Sequence, residues 1–319
     1  MNSKKIRRPA RLKPGARIGI VAPAGPYDDK TFSRGVRVLQ KMDFEVFIPP
    51  QLLEPKGYLA GSDRRRAQFV NELFADKSID AVMCARGGYG SIRILPLLNY
   101  KIIADNPKVF IGFSDITVLL NVLNDRCGIA TFHGPVVTSL ADSSDETRKA
   151  LLQAVSSDTR FEVKVPGGTA VKAGSGTGVV CGGNLTTLCH LVGTPYVPGF
   201  ANKILFLEDR AEAPYRIDRM LVHMKLAGCF ENLAGIVLGS FEDCGSIESI
   251  LTIVSEIFAS YSIPILAGLD AGHGENNMTL PLGVEATLDA DRGLLAYHQA
   301  ATVPVQVTEN RGLRVEKRR

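Results

Sequence analysis

Apolar and polar positions alternate along this 319-residue chain in two textures. From residue 17 to about 154, short apolar runs take turns with longer amphipathic stretches. The runs at 18–22, 45–48, 81–85 and 109–113 have strand composition. The stretches at 31–42, 63–75, 92–98 and 116–124 carry apolar residues at helical spacing. Such alternation predicts a Rossmann- or flavodoxin-like parallel sheet with helices on both faces, whose ligands bind at the carboxyl ends of the strands. Beyond it, residues 165–178 are mostly glycine and small residues and predict a linker. Strands are then expected at 204–207, 235–238 and 294–297, with helices at 215–227 and 246–261. The expected layout is a basic tail at 1–16, an α/β domain at 17–164, the linker, and a mixed β/α domain at 179–319.

Charge changes this picture little. The net charge is +4, but residues 1–17 hold seven bases and no acid, and 309–319 hold five bases and two acids. The two ends therefore carry +10 and the body about −6, which gives no basic face for nucleic acid and reads the ends as solvated tails. No apolar run reaches the roughly 18–20 residues that span a bilayer, so no membrane association is expected. The basic start followed by Ile18-Gly19-Ile20-Val21-Ala22 imitates a signal peptide but reads better as a first buried strand, giving a cytoplasmic protein. Six scattered cysteines form no C-x-x-C pair, so neither a metal site nor a disulfide framework is indicated, and no cofactor is called for.

Candidate chemistry begins at Gly112-Phe113-Ser114-Asp115, wedged between a strand and a helix. A serine there either projects as a nucleophile beside free helix N–H groups or simply caps the helix. A nucleophile needs a base. His273, in a polar glycine-flanked loop, is the first choice and His133 the second, whereas His190 reads as core, and His223 and His298 as structural or surface groups. Glu208 and Asp209 follow an apolar run and are either the acid partner or ion-paired with Arg210, Arg216 or Arg219. The loop Arg86-Gly87-Gly88-Tyr89-Gly90 lacks the phosphate-loop lysine, and serves either as an anion nest or as an N–H donor to a reacting carbonyl.

Taken in order, these segments and Val21-Ala22-Pro23-Ala24-Gly25-Pro26, Phe132-His133-Gly134-Pro135, Gly182-Gly183-Asn184-Leu185, Tyr215-Arg216-Ile217-Asp218-Arg219 and Leu280-Pro281-Leu282-Gly283 resemble the LD-carboxypeptidases. That family includes murein tetrapeptide carboxypeptidases and microcin C self-immunity peptidases. The resemblance implies a Ser114, Glu208, His273 triad in the cleft between the two domains, with an oxyanion hole from the N–H groups of Gly88 and Asp115. It implies hydrolysis of the bond between the L-centre of a diamino acid and terminal D-alanine in murein tetrapeptide, by a homodimer. Arg86 is a candidate for the substrate carboxylate, unless it pairs with Asp115, and Glu212 for a substrate ammonium. The chain has no Trp, which favours the murein branch over cleavage of acyl-sulfamoyl aminoacyl nucleotides. Outside the family, the alternative is a nucleotide- or sugar-binding α/β module.

Overall fold

The computed structural model describes residues 6–305, so the basic segment 309–319 lies outside the described residues. The first strands are β1 (Arg17–Val21), β2 (Glu45–Phe47), β3 (Ala81–Cys84), β4 (Val109–Gly112) and β5 (Thr131–His133). After them come β6 (Glu162–Lys164), β7 (Thr169–Lys172), β8 (Ser175–Asn184), β9 (Lys203–Arg210) and β10 (Gly235–Glu242). The last are β11 (Ile265–Ala267), β12 (Leu280–Leu282), β13 (Glu285–Asp289) and β14 (Leu294–Tyr297).

They build two sheets. The first has the order β12-β5-β4-β3-β1-β2, and β1 to β5 run parallel. Its strands β3 and β4 are buried along their whole length and β1 in all but its first residue, which is why they read as unbroken apolar runs rather than as alternation. The edge strand β2 stays partly exposed. The second sheet has the order β6-β14-β13-β8-β9-β10-β11-β7, with a parallel centre from β8 to β11.

Along β9 the two-residue period of a strand sorts side chains to opposite faces. Ile204 and Phe206 join the large core shared with the first sheet. Leu205 and Leu207 join a second core. That second core also takes Ile217, Leu221 and Met224 of the helix Pro214–Leu226 and Ile250, Val254 and Ile257 of the helix Ile247–Ile257. By the same period Glu208 belongs to the first face and Asp209 to the helix face.

Three expectations are corrected here. Residues 165–178 are not a loose linker: β7 and the first part of β8 lie within them. A Cβ at Gly176 would fall 1.9 Å from the Ala234 carbonyl oxygen, so this glycine permits close backbone packing rather than flexibility. Residues 6–16 are not a solvated tail either. Leu12 is buried, and the N–H groups of Arg7 and Leu12 donate to Gly128 and Val155 carbonyls at 2.8 Å each. Nor does the chain divide cleanly, because β6 pairs with β14 in the second sheet while β12 returns to pair with β5 in the first. Strand pairing across the sequence overrides the composition break. Among the described residues no helix is long and apolar enough to cross a membrane.

Candidate active site

Ser114 stands directly after β4, in the turn Ser114–Ile116 that leads into the helix Thr117–Cys127. Its φ is +63°, a left-handed conformation that costs an L-residue about 1–3 kcal/mol and persists only where the surroundings hold it. The cap reading fails, because Phe113 is the N-cap of this turn and no side chain caps it or the following helix. The glycine loop presses on this serine: a Cβ on Gly87 would come within 2.8 Å of Ser114 Cβ and 3.1 Å of its Oγ.

Two buried side chains hold the glycine loop, and one of them belongs to the Ser114 turn. The Ser91 N–H donates to Asp115 Oδ2 at 2.8 Å, which joins the end of the glycine loop to the residue after Ser114. Burial pushes the Asp115 carboxyl up, against the pull of that bond. Arg66, only 2% exposed, donates to the carbonyls of Gly90 at 3.0 Å, Gly61 at 3.2 Å and Pro23. Its guanidinium is neutralised by Asp63 at 2.6 Å. No sequence signal marked Arg66, which stands in a run of three arginines that looks like a solvated helix face. Arg86 does not pair with Asp115; it is exposed and donates to the Pro26 carbonyl at 2.6 Å.

The second sheet carries the candidate acid and base. Glu208, near the carboxyl end of β9, is fully buried, and His273 Nδ1 lies 2.6 Å from its Oε2. A carboxylate can only accept, so Nδ1 carries the proton of the bond, and in the neutral ring the lone pair lies on Nε2. Burial pushes the Glu208 carboxyl up, and the His273 hydrogen bond offsets this only in part. The His273 loop is held by the Gly274 N–H donating to Ser240 Oγ, and the Gly272 N–H to Asn277 Oδ1, both at 3.0 Å. Asn277 N–H in turn donates to Thr147 Oγ1 at 3.0 Å, across to the first half of the chain.

Phe113, beside Ser114, packs on the His273 ring with centroids 4.8 Å apart, which brings the His273 loop and the Ser114 turn together. The second-choice base, His133, lies fully buried between Phe113 and Phe206, and burial pushes its pKa down to about 3. A ring so enclosed cannot cycle a proton to a substrate. His190 is exposed rather than core. Asp209 faces away, as the strand period requires, and accepts from Asn184 Nδ2, Thr186 N–H and Oγ1, and Arg210 N–H at 2.8–2.9 Å. The arginines proposed as ion partners go elsewhere: Arg210 lies 3.8 Å from Asp243, and Arg216 lies 3.4 Å from Glu212.

The two halves are joined beside the site by the amide of Asn121. It donates to the Gly182 carbonyl at 2.8 Å and accepts the Gly182 N–H at 2.9 Å. Asn184 N–H also donates to Thr117 Oγ1 at 3.0 Å. Among the described residues no cluster of His, Cys, Asp or Glu is placed to hold a metal ion.

Residues 18–134 match the N-terminal domain of the LD-carboxypeptidases and residues 177–288 their C-terminal domain. A putative carboxypeptidase of Streptomyces coelicolor is 36% identical over 93% of this chain and 98% of its own length. The murein tetrapeptide carboxypeptidase of Pseudomonas aeruginosa is 33% identical over 86% of this chain and 94% of its own. The solved structure of the microcin immunity protein MccF with glutamyl sulfamoyl guanosine superposes with a TM-score of 0.86 at 27% identity, covering 93% of this chain and 99% of that one. With two domain models matched in order and relatives aligned over nearly their full length, the chain belongs to the LD-carboxypeptidase family.

Proposed function

We propose that this protein is a serine-type LD-carboxypeptidase that releases the terminal D-alanine of murein tetrapeptide, with Ser114, His273 and Glu208 as its triad. The observation that carries this reading is the 2.6 Å contact of His273 with a fully buried glutamate, packed against the residue preceding a serine in a left-handed turn.

His273 Nε2 takes the proton of Ser114 Oγ as the oxygen bonds to the carbonyl carbon between the diamino acid and D-alanine. Negative charge develops on the carbonyl oxygen, and the N–H groups of Gly88 and Asp115 receive it. Glu208 fixes the tautomer of His273 and stabilises the imidazolium that forms. The C–N bond then breaks, His273 returns the proton to the departing D-alanine amine, and an acyl-serine remains. Water repeats the sequence in reverse and frees the tripeptide. Arg86, on the glycine-loop rim, is assigned to the substrate's terminal carboxylate, and Glu212 to the ammonium of the diamino acid. The reading keeps the expected cytoplasmic location and homodimer.

The absence of Trp supports the murein branch over the microcin-type substrate. The test is mass spectrometry of L-Ala-γ-D-Glu-meso-diaminopimelate-D-Ala with wild type and Ser114→Ala. Loss of one alanine with wild type only is expected. No turnover by wild type, together with cleavage of an acyl-sulfamoyl aminoacyl nucleotide, would move the assignment to the other branch. Equal turnover by Ser114→Ala would sink the mechanism.

A further inference from the structure

We infer that the buried side chains of Arg66 and Asp115 are positioning residues for the proposed oxyanion hole: they fix the direction of the Gly88 N–H, and through it kcat rather than substrate affinity. This rests on the peptidase reading above and adds to it two residues that act through the backbone.

The carbonyl of Gly90 and the N–H of Ser91 belong to one peptide unit. Its oxygen accepts from the Arg66 guanidinium at 3.0 Å, and its N–H donates to Asp115 Oδ2 at 2.8 Å. A cation thus sits at the negative end of the peptide dipole and a carboxylate at the positive end. Both bonds are charge-assisted, and both side chains are buried, where water does not compete. The far end of the glycine loop is therefore clamped.

The near end is held through the same arginine. The Gly87 carbonyl accepts from the Gly25 N–H at 3.0 Å. Arg66 also donates to the carbonyl of Pro23, in the segment that carries Gly25. One guanidinium thus braces both the loop and its support. The Gly87 carbonyl and the Gly88 N–H share a peptide unit, and in a trans peptide the two point in opposite directions. The Gly88 N–H therefore points away from Gly25, while Gly87, on the same peptide, lies against Ser114. Gly88 itself has a φ of +105°, so the direction of its N–H depends on these anchors rather than on a backbone minimum that any residue would share.

The test measures kcat and KM on the murein tetrapeptide for Asp115→Asn and Arg66→Lys. Beside them it measures the rate at which a fluorophosphonate modifies Ser114, all per active site titrated by the same label. Asp115→Asn keeps an acceptor for the Ser91 N–H without the charge. Arg66→Lys keeps the cation but cannot serve the carbonyls of Gly61, Pro23 and Gly90 together. Misdirecting one oxyanion donor should cost less than removing it, so kcat should fall by about 10-fold in each variant with KM little changed. The fluorophosphonate rate should fall in step, because negative charge gathers on the phosphoryl oxygen in the same hole. Unchanged kcat and labelling rate in both variants, whatever the loss of melting temperature, would overturn the inference, and so would a change confined to KM. Should Arg66→Lys fail to fold, the nearly isosteric Asp115→Asn decides alone. If wild type leaves the tetrapeptide intact, the substrate assignment fails separately and the labelling rates decide the clamp. A wild type that the label does not modify overturns both.

Discussion

The two sides of the proposed active site are built from different materials. On the first sheet the chemistry is set by backbone: a left-handed serine, a glycine loop against it, and N–H groups at the start of a helix. On the second sheet it is set by a buried charged side chain, Glu208, held 2.6 Å from His273. The first side stores conformational strain and the second stores desolvation. Strain is insensitive to pH and is relieved by glycine; desolvation follows the proton and is relieved by a neutral isostere.

The largest effect is expected at the serine. Ser114→Gly removes the nucleophile and should lower turnover by about 10⁴-fold or more. Glycine adopts positive φ freely, so the same change should leave stability unchanged or raise it by up to about 1 kcal/mol. A variant that is both inactive and markedly less stable in urea would show that the turn is not strained. On the other side, Glu208→Gln should cost about 10³–10⁴-fold in kcat, because the histidine loses its charge partner.

Glu208→Gln also carries a pH signature. The folded carboxyl titrates above its ordinary value, so the native state holds the proton more tightly than the unfolded chain does. The stability tied to this group is present below the ordinary glutamate pKa and is lost as pH rises through the raised folded value. Glutamine has no such loss. Its melting temperature should therefore gain on wild type as pH rises toward neutrality, and a constant difference across the series would remove desolvation from the account. Asp115 and Asp209 are shifted in the same direction and leave a residual slope in both proteins.

A smaller effect separates the sides again. Gly87→Ala places a methyl 2.8 Å from Ser114 Cβ, and Gly87 is not among the positive-φ residues, so the fold should tolerate the change while the nucleophile is displaced. A fall in kcat of about 10²-fold is expected, with the pH profile unmoved. A shifted profile would mean that the loop acts through the base instead.

How much of this was legible in the sequence follows from the same division. Ser114, the glycine loop and His273 could be read because each follows an apolar run at a strand end. Choosing between Glu208 and Asp209 without a family resemblance needed the faces of β9, and the clue was present: Phe206 and Glu208 share a parity. The strands in 165–178 were missed because glycine that admits a neighbouring backbone looks the same in sequence as glycine that frees the chain. Leu12 and the segment around it were read as tail because charge outweighed one apolar residue. Arg66 and Asn121 were invisible, since their role depends on carbonyls brought in from distant segments.

The smallest effect on turnover, and the one that tests whether the two sides work as a unit, lies at their seam. Asn121 is buried and carries both bonds to Gly182, and it also donates to the Thr117 carbonyl of its own helix at 2.8 Å. Asn121→Ala leaves the Gly182 N–H and C=O buried without their partner, at a cost of about 2–3 kcal/mol. The strand holding Gly182 also pairs Asn184 with Glu208, so slippage at the seam moves the acid relative to the nucleophile helix. A fall in kcat of about 10-fold is therefore expected beside the loss of stability. The double variant Asn121→Ala with Gly87→Ala then distinguishes two forms of coupling. Multiplicative losses would mean that the seam and the loop place the serine independently, while a combined loss no larger than that of Gly87→Ala alone would mean that both act through one displacement of the Ser114 turn.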